Sequence, residues 1–239
     1  MWENMKKIKV IVPVKTDIWN NEILRIYERY KDPDTELSVV NLKKGPEAIE
    51  QHYDKVWSEL FTLLEVEKAE NEGYDGVIIY CFCDPALLAA KEKLSIPVLG
   101  IMEAGIHLAS MLSRKFSIIT TIEEGKQTIE DLLKIYGFER KCVSIRAIGV
   151  PVLELSNKQK LMDSTLNVCA KAIKEDKAET LVLGCGSMLG IREEVSKVLN
   201  IPIVEPGLAA LKLCEDMIGL GLSQSKTAFP VPVSIDRCI

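Results

Sequence analysis

The chain has 239 residues, 47% hydrophobic and 27% charged, the balance of an ordinary soluble protein with room for one large domain or two small ones. A net charge of −5 and an isoelectric point near 5.3, with Lys and Arg scattered among acids, argue against nucleic acid and anionic membrane surfaces as partners. The opening MWENMKKIKVIVPV has no secretory pattern, and no apolar run reaches the roughly 18 residues that span a bilayer, so a cytoplasmic location without membrane contact is expected.

Strand and helix signals alternate in chain order. Short β-branched runs at 8–14, 37–42, 76–81, 97–101, 116–121, 142–148, 180–185 and 202–206 read as buried parallel strands. Between them, amphipathic stretches with helical spacing occupy 48–72, 85–94, 103–113, 124–136, 157–176, 190–199 and 207–220. This alternation predicts the α/β class, with mostly parallel sheet flanked by helices. There is no low-complexity segment or long linker.

Part of the chain repeats. VIIYCFCDPALLAAKEKLSIPVLG (77–100) and LVLGCGSMLGIREEVSKVLNIPIVEP (181–206) each read apolar strand, Cys, turn, amphipathic helix, Ile-Pro, apolar strand. Cys81 stands 15 positions before Ile96, and Cys185 stands 16 before Ile201. A Glu-x-Gly helix start follows in each copy, at Glu103-Ala104-Gly105 and Glu205-Pro206-Gly207. Two such halves predict a pseudo-twofold molecule with its site where they meet.

The seven cysteines, an odd number without an export signal, are expected to be free thiols. Cys142, Cys169 and Cys214 lie in apolar periodic runs and read as small core residues; Cys238 sits at the C-terminal end. The two histidines, His52 and His107, stand in unrelated contexts. CxxC pairs, HExxH, GxxxxGK[ST] and a GxGxxG turn are all absent, so neither a metal nor a nucleotide cofactor is expected.

Cys81 and Cys185 both fall at strand ends, where functional groups of α/β sheets collect, and each is expected just ahead of a helix. Helix N-termini lower thiol pKa values and bind oxyanions. A thiol from each half could then take a proton from a carbon α to a carbonyl and return one on the opposite face. Cys83, which makes Cys-x-Cys with Cys81, reads as a pocket residue or an inert one. A thiol redox or metal module built on that pair is a rival from a different class.

With these residues in place, the chain resembles the hydantoin and allantoin racemases of the aspartate/glutamate racemase superfamily. The resemblance is carried by GPEAIEQHYDK (45–55), residues 73–109, FSIITT (116–121), residues 136–155, LGCGSM (183–188) and residues 201–226, with Cys-Phe-x-Asp-Pro and Leu-Gly-Cys-x-x-Met as signatures. It implies two lobes, 1–104 with 212–239 and 105–211, and a cofactor-independent racemase with Cys81 and Cys185 as the catalytic pair. Substrate-binding groups implied are Pro13, the backbone amides of Phe82 and Gly186, and Thr120 and Thr121. His107 matches a helix position and reads as packing. Asp84 and Pro85 read as the N-cap and first residue of the next helix.

Two departures bear on the substrate. Hydantoin racemases usually carry Asn-Pro-Asn after the first strand, where this chain has Val12-Pro13-Val14. Amino-acid racemases of the superfamily show Cys-Asn-Thr and Cys-Thr, where this chain has Cys81-Phe82 and Cys185-Gly186. The expected substrate is therefore a 5-substituted hydantoin or allantoin-like compound. The alternatives are an aspartate or glutamate racemase, a decarboxylase or maleate-isomerase-like enzyme, and a non-catalytic small-molecule-binding homologue. A homo-oligomer is the default expectation.

Overall fold

The computed structural model describes residues 5–235; Cys238 lies outside them. Eight strands form two parallel four-stranded sheets. The first has the order β2-β1-β3-β4, from β1 (Lys6–Val12), β2 (Thr35–Asn41), β3 (Gly76–Ile79) and β4 (Val98–Gly100). The second has the same winding, β6-β5-β7-β8, from β5 (Phe116–Thr120), β6 (Cys142–Ala147), β7 (Thr180–Leu183) and β8 (Ile203–Val204). The registers correspond too: Ile8–Ile11 of β1 pairs with Gly76–Ile79, and Phe116–Ile119 of β5 pairs with Thr180–Leu183.

All four residues of β3 and all four of β7 are buried, as expected for strands covered on both faces. The helices are α1 (Asn20–Tyr30), α2 (His52–Val66), α3 (Leu87–Lys93), α4 (Ile101–Leu112), α5 (Lys126–Tyr136), α6 (Lys158–Asp176), α7 (Arg192–Leu199) and α8 (Pro206–Gly219). No α-helix here is long and apolar enough to cross a membrane among the described residues.

The halves exchange helices. α4 follows the first sheet yet packs on β7 and β8, and α8 follows the second sheet yet packs on β1, β3 and β4. The two helices also lie against each other. One core therefore runs through both sheets, from Ile8, Val10 and Ile78 to Phe116, Ile118 and Val182. Separate cores fill the outer faces, under α2 and α3 on one side and α6 and α7 on the other.

Three expectations change at the element ends. Helix α1 had no counterpart among the amphipathic stretches. Its buried stripe is only Ile23, Ile26 and Tyr27, and most of the other residues of the helix are polar. Asp84 and Pro85 do not start a helix. Asp84 and Ala86 take left-handed backbone angles, φ 40° and 60°, and α3 begins at Leu87. The Asp84 carboxylate instead caps a different helix, accepting from the N–H groups of Met102 (3.0 Å) and Glu103 (2.8 Å) in the first turn of α4. Gly100 makes this possible, since a Cβ there would lie 2.3 Å from the Asp84 carboxyl carbon. Finally, the helices after the two cysteines start late: six residues after Cys81 and seven after Cys185. Neither thiol sits at a helix N-terminus.

Candidate active site

The chain leaves β3 and β7 through matching turns. Each cysteine stands two residues past its strand, after Ile79 and after Leu183. The N–H of Asp84 donates to the Cys81 carbonyl (3.0 Å), and the N–H of Met188 donates to the Cys185 carbonyl (3.2 Å). In each turn the sulfur accepts the N–H two residues on, Cys83 onto Cys81 and Ser187 onto Cys185, the latter at 3.4 Å. The intervening N–H groups, of Phe82 and Gly186, have no partner among the described residues. They are open donors at the point where charge would develop on a bound carbonyl. Gly186 has no room for a side chain, because a Cβ would lie 2.9 Å from the Tyr80 ring.

Both turns open on one cleft beyond the carboxyl ends of β1, β3, β5 and β7, the usual site in open α/β sheets. Cys81 and Cys185 stand at its waist, together with Ile49 and Val152, because all four border the space on both sides. One chamber, about 470 Å³ with its mouth, adds Glu50, Gln51, Phe82, Cys83, Thr120, Thr121 and Thr128. The other, about 420 Å³, adds Val12, Pro13, Val14, Trp19, Ile23, Ala48 and Tyr80, with Gly186 and Ser187.

All seven residues nominated in the sequence border this cleft: Cys81, Phe82, Thr120, Thr121 and Cys185 on the first chamber, Pro13 and Gly186 on the second. Thr120 ends β5, and its hydroxyl reaches toward the Gly184 carbonyl at 3.5 Å. Pro13 is held by its carbonyl, which accepts from the Ser58 hydroxyl of α2 at 2.7 Å. Asn41, at the end of β2, steadies the same loop through the carbonyls of Val14 (3.3 Å) and Thr16 (2.5 Å).

His107 is outside the cleft, exposed on α4 with its ring edge-on to Phe138 at 4.7 Å between centroids. Cys169 and Cys214 are fully buried in the core. Cys142 is half-buried on β6, its thiol donating to the Ser144 carbonyl.

Sequence reasoning missed Ile49, Glu50, Gln51, Val152, Trp19 and Ile23. The first three belong to the stretch just before α2, expected to be helical from residue 48; it is instead an irregular wall of the cleft. Glu50 ties that wall to the other half by accepting the Val152 N–H at 2.7 Å.

The two thiols differ in charge preference. Cys83 Sγ lies 3.4 Å from Cys81 Sγ. Its thiol donating to the Cys81 sulfur, followed in effect by the opposing desolvation and the Cys83 N–H, holds the Cys81 pKa below its ordinary value. Cys83 itself is pushed up by that contact and by burial. The Cys185 thiol is pushed up to about 12, chiefly by burial, despite the Ser187 N–H. The expectation that helix dipoles lower both thiols therefore fails: Cys81 is lowered by Cys83 rather than by a helix, and Cys185 is raised. Cys81 is thus the thiol that loses its proton more readily and Cys185 the one that keeps it, the complementary preferences that a base and an acid require.

Next to this pair, burial raises the Asp84 carboxyl to about 7, against the pull of the Glu103 N–H, the Tyr136 hydroxyl and the Met102 N–H. The Tyr136 hydroxyl, from α5 of the other half, donates to Asp84 at 2.8 Å. The first cysteine turn is thus fastened to both halves.

Comparison with known proteins places the chain in a family. Residues 10–214 match the family model described as Asp/Glu/Hydantoin racemase. A hydantoin racemase of Pseudomonas sp. (strain NS671) is 35% identical, over 92% of this chain and 89% of its own. A hydantoin racemase of Rhizobium meliloti is 36% identical, over 92% and 91%. Among solved structures, the allantoin racemase from Klebsiella pneumoniae superposes with a TM-score of 0.92 at 34% identity, covering 96% of this chain and 95% of that one.

Proposed function

Because the chain belongs to the Asp/Glu/hydantoin racemase family, we propose that it is a racemase acting at the ring carbon α to a carbonyl of a hydantoin or allantoin-like compound, with Cys81 and Cys185 as its acid–base pair. The observation that carries this reading is the pair of matching turns, each presenting a thiol to both sides of one cleft.

The Cys81 thiolate takes the α-proton, and the C–H electron pair moves into the ring to give an enolate. The developing oxyanion is held by the open Phe82 and Gly186 N–H groups. Cys185 then delivers its proton to the opposite face. The product is the mirror-image ring, and the two sulfurs have exchanged protonation states. Conjugation with the ring carbonyl lowers the acidity barrier, so no cofactor is needed on this route. Thr120 and Thr121 serve as polar contacts for the ring, and Pro13 shapes the wall opposite.

The lobes of this enzyme are taken as 1–104 with 212–239 and 105–211, a division supported by the exchange of α4 and α8 between the sheets. A homo-oligomer in the cytoplasm is the setting proposed for it.

The test is circular dichroism of enantiopure 5-substituted hydantoins and allantoin incubated with the protein in deuterated water. The expected result is loss of optical signal with deuterium entering at the α-carbon, the loss of signal being abolished in both Cys81→Ser and Cys185→Ser. Full activity in either variant overturns the two-thiol reading. Tight binding without racemisation would identify a non-catalytic homologue instead.

A further inference from the structure

The two chambers of the cleft differ in chemistry, and that difference bears on the substrate. On one side of the thiols the wall offers Gln51, Thr120, Thr121 and Thr128, which can pair with the carbonyl and N–H groups of a hydantoin ring. On the other side stand Val12, Val14, Trp19, Ile23 and Ala48. No Asn, Gln, Asp, Glu, Lys, Arg or His lines that second chamber among the described residues. Val12 and Val14 are 4% and 5% exposed, so their side chains are fixed wall rather than mobile rim.

We propose that the second chamber is the side-chain pocket of the racemase and selects hydantoins whose 5-substituent is an aliphatic or other apolar group, rejecting the ureido group of allantoin. The proposal rests on the racemase reading above. With the reacting carbon between Cys81 and Cys185, a ring in the polar chamber directs its 5-substituent past the thiols into the apolar one. An apolar substituent gains from burial there. A ureido group brings three N–H bonds and one carbonyl to a wall that offers the unpartnered Trp19 Nε1–H but no carboxylate or amide side chain to accept, and unpaired buried polar groups are what discriminates most strongly against a ligand. The Gly186 N–H is taken by the ring oxyanion and the Ser187 hydroxyl by Cys185, so the Trp19 Nε1–H is too little to satisfy it. Asn41 keeps Val14 in place from behind by bonding its carbonyl, so the wall is set by the backbone as well as by packing.

The experiment compares 5-isobutylhydantoin with allantoin on the purified full chain, by racemisation rate and by calorimetric binding. The expected result is a kcat/KM and an affinity at least tenfold higher for 5-isobutylhydantoin, with the ratio narrowed at least threefold in Val14→Asn. Equal or better use of allantoin by the unmodified protein overturns the proposal, whether or not the variant folds. If neither compound racemises, the calorimetric ratio still decides. Tighter binding of 5-isobutylhydantoin keeps the pocket assignment and removes the racemase reading, whereas equal binding, or none, removes the pocket assignment.

Discussion

The turns at 81–84 and 185–188 share a backbone and differ at every side chain but the first. Phe82 corresponds to Gly186, Cys83 to Ser187, and Asp84 to Met188. In the first turn a second thiol feeds a hydrogen bond to the cysteine, and a buried carboxylate ties the turn to α4 and α5. In the second turn the thiol accepts from the Ser187 N–H and hydroxyl yet is held up by burial, and Met188 fills core at 1% exposure. The lesson is that twofold geometry places two thiols on one cleft, while the residues that break the symmetry give them different proton affinities. A racemase of the two-base kind needs both the likeness and the difference.

The likeness is broken most severely by removing either sulfur. Cys81→Ala and Cys185→Ala are each expected to lower the racemisation rate by roughly 10³-fold, read by polarimetry, because a positioned acid or base has no replacement in the cleft.

Asp84 is the next distinction. In Asp84→Asn an amide N–H₂ must face donors that now meet a carboxylate, the N–H groups of α4 or the Tyr136 hydroxyl. A loss of about 1–3 kcal/mol in unfolding free energy is expected by denaturant titration.

The N-termini of α4 and α8 sharpen the contrast. Where Asp84 caps α4, Glu205 is the N-cap residue of α8, makes no side-chain cap bond, and leaves its buried Oε1 without a partner. Burial pushes its carboxyl up to about 7 from 4.5. A raised carboxyl pKa means the folded chain holds a proton that the unfolded chain has lost between those values. Its favourable contribution is complete below about pH 4.5 and is lost as pH rises through 7. Glu205→Gln removes this dependence. The variant is expected to gain on the order of 1–2 kcal/mol relative to the parent at pH 8 and to show no such gain at pH 4, read from thermal unfolding across pH.

The smallest effect concerns Cys83. In Cys83→Ala the Cys81 sulfur loses a donor, so its pKa rises and the acid limb of kcat/KM moves to higher pH. Activity at pH 7 falls up to roughly tenfold, the worth of one hydrogen bond to a charged group. Cys83→Ser, which makes the first turn resemble the second, keeps a donor and restores most of the limb. A profile unchanged in the alanine variant would show that Cys83 does not set the asymmetry.

The sheets were legible because β3 and β7 are apolar on both faces, and the cysteine pair was legible because Cys81 and Cys185 recur after matching strands. What escaped the sequence depends on contacts far apart in the chain. Asp84 looks like a cap for the helix that follows it, yet the N–H groups it satisfies lie 18 and 19 residues on. The walls at Ile49–Gln51 and Val152 come from irregular segments without periodicity. Burial, which no local pattern reveals, raises Cys185 where proximity to a helix had pointed the other way.

The central claim, one thiol on each face of the substrate, is tested most directly by following α-deuterium and optical rotation together in the single-cysteine variants. In deuterated water, Cys185→Ala is expected to exchange the α-proton of one enantiomer without inverting it, and Cys81→Ala that of the other. Exchange accompanied by inversion at the parent's rate in either variant would contradict the account.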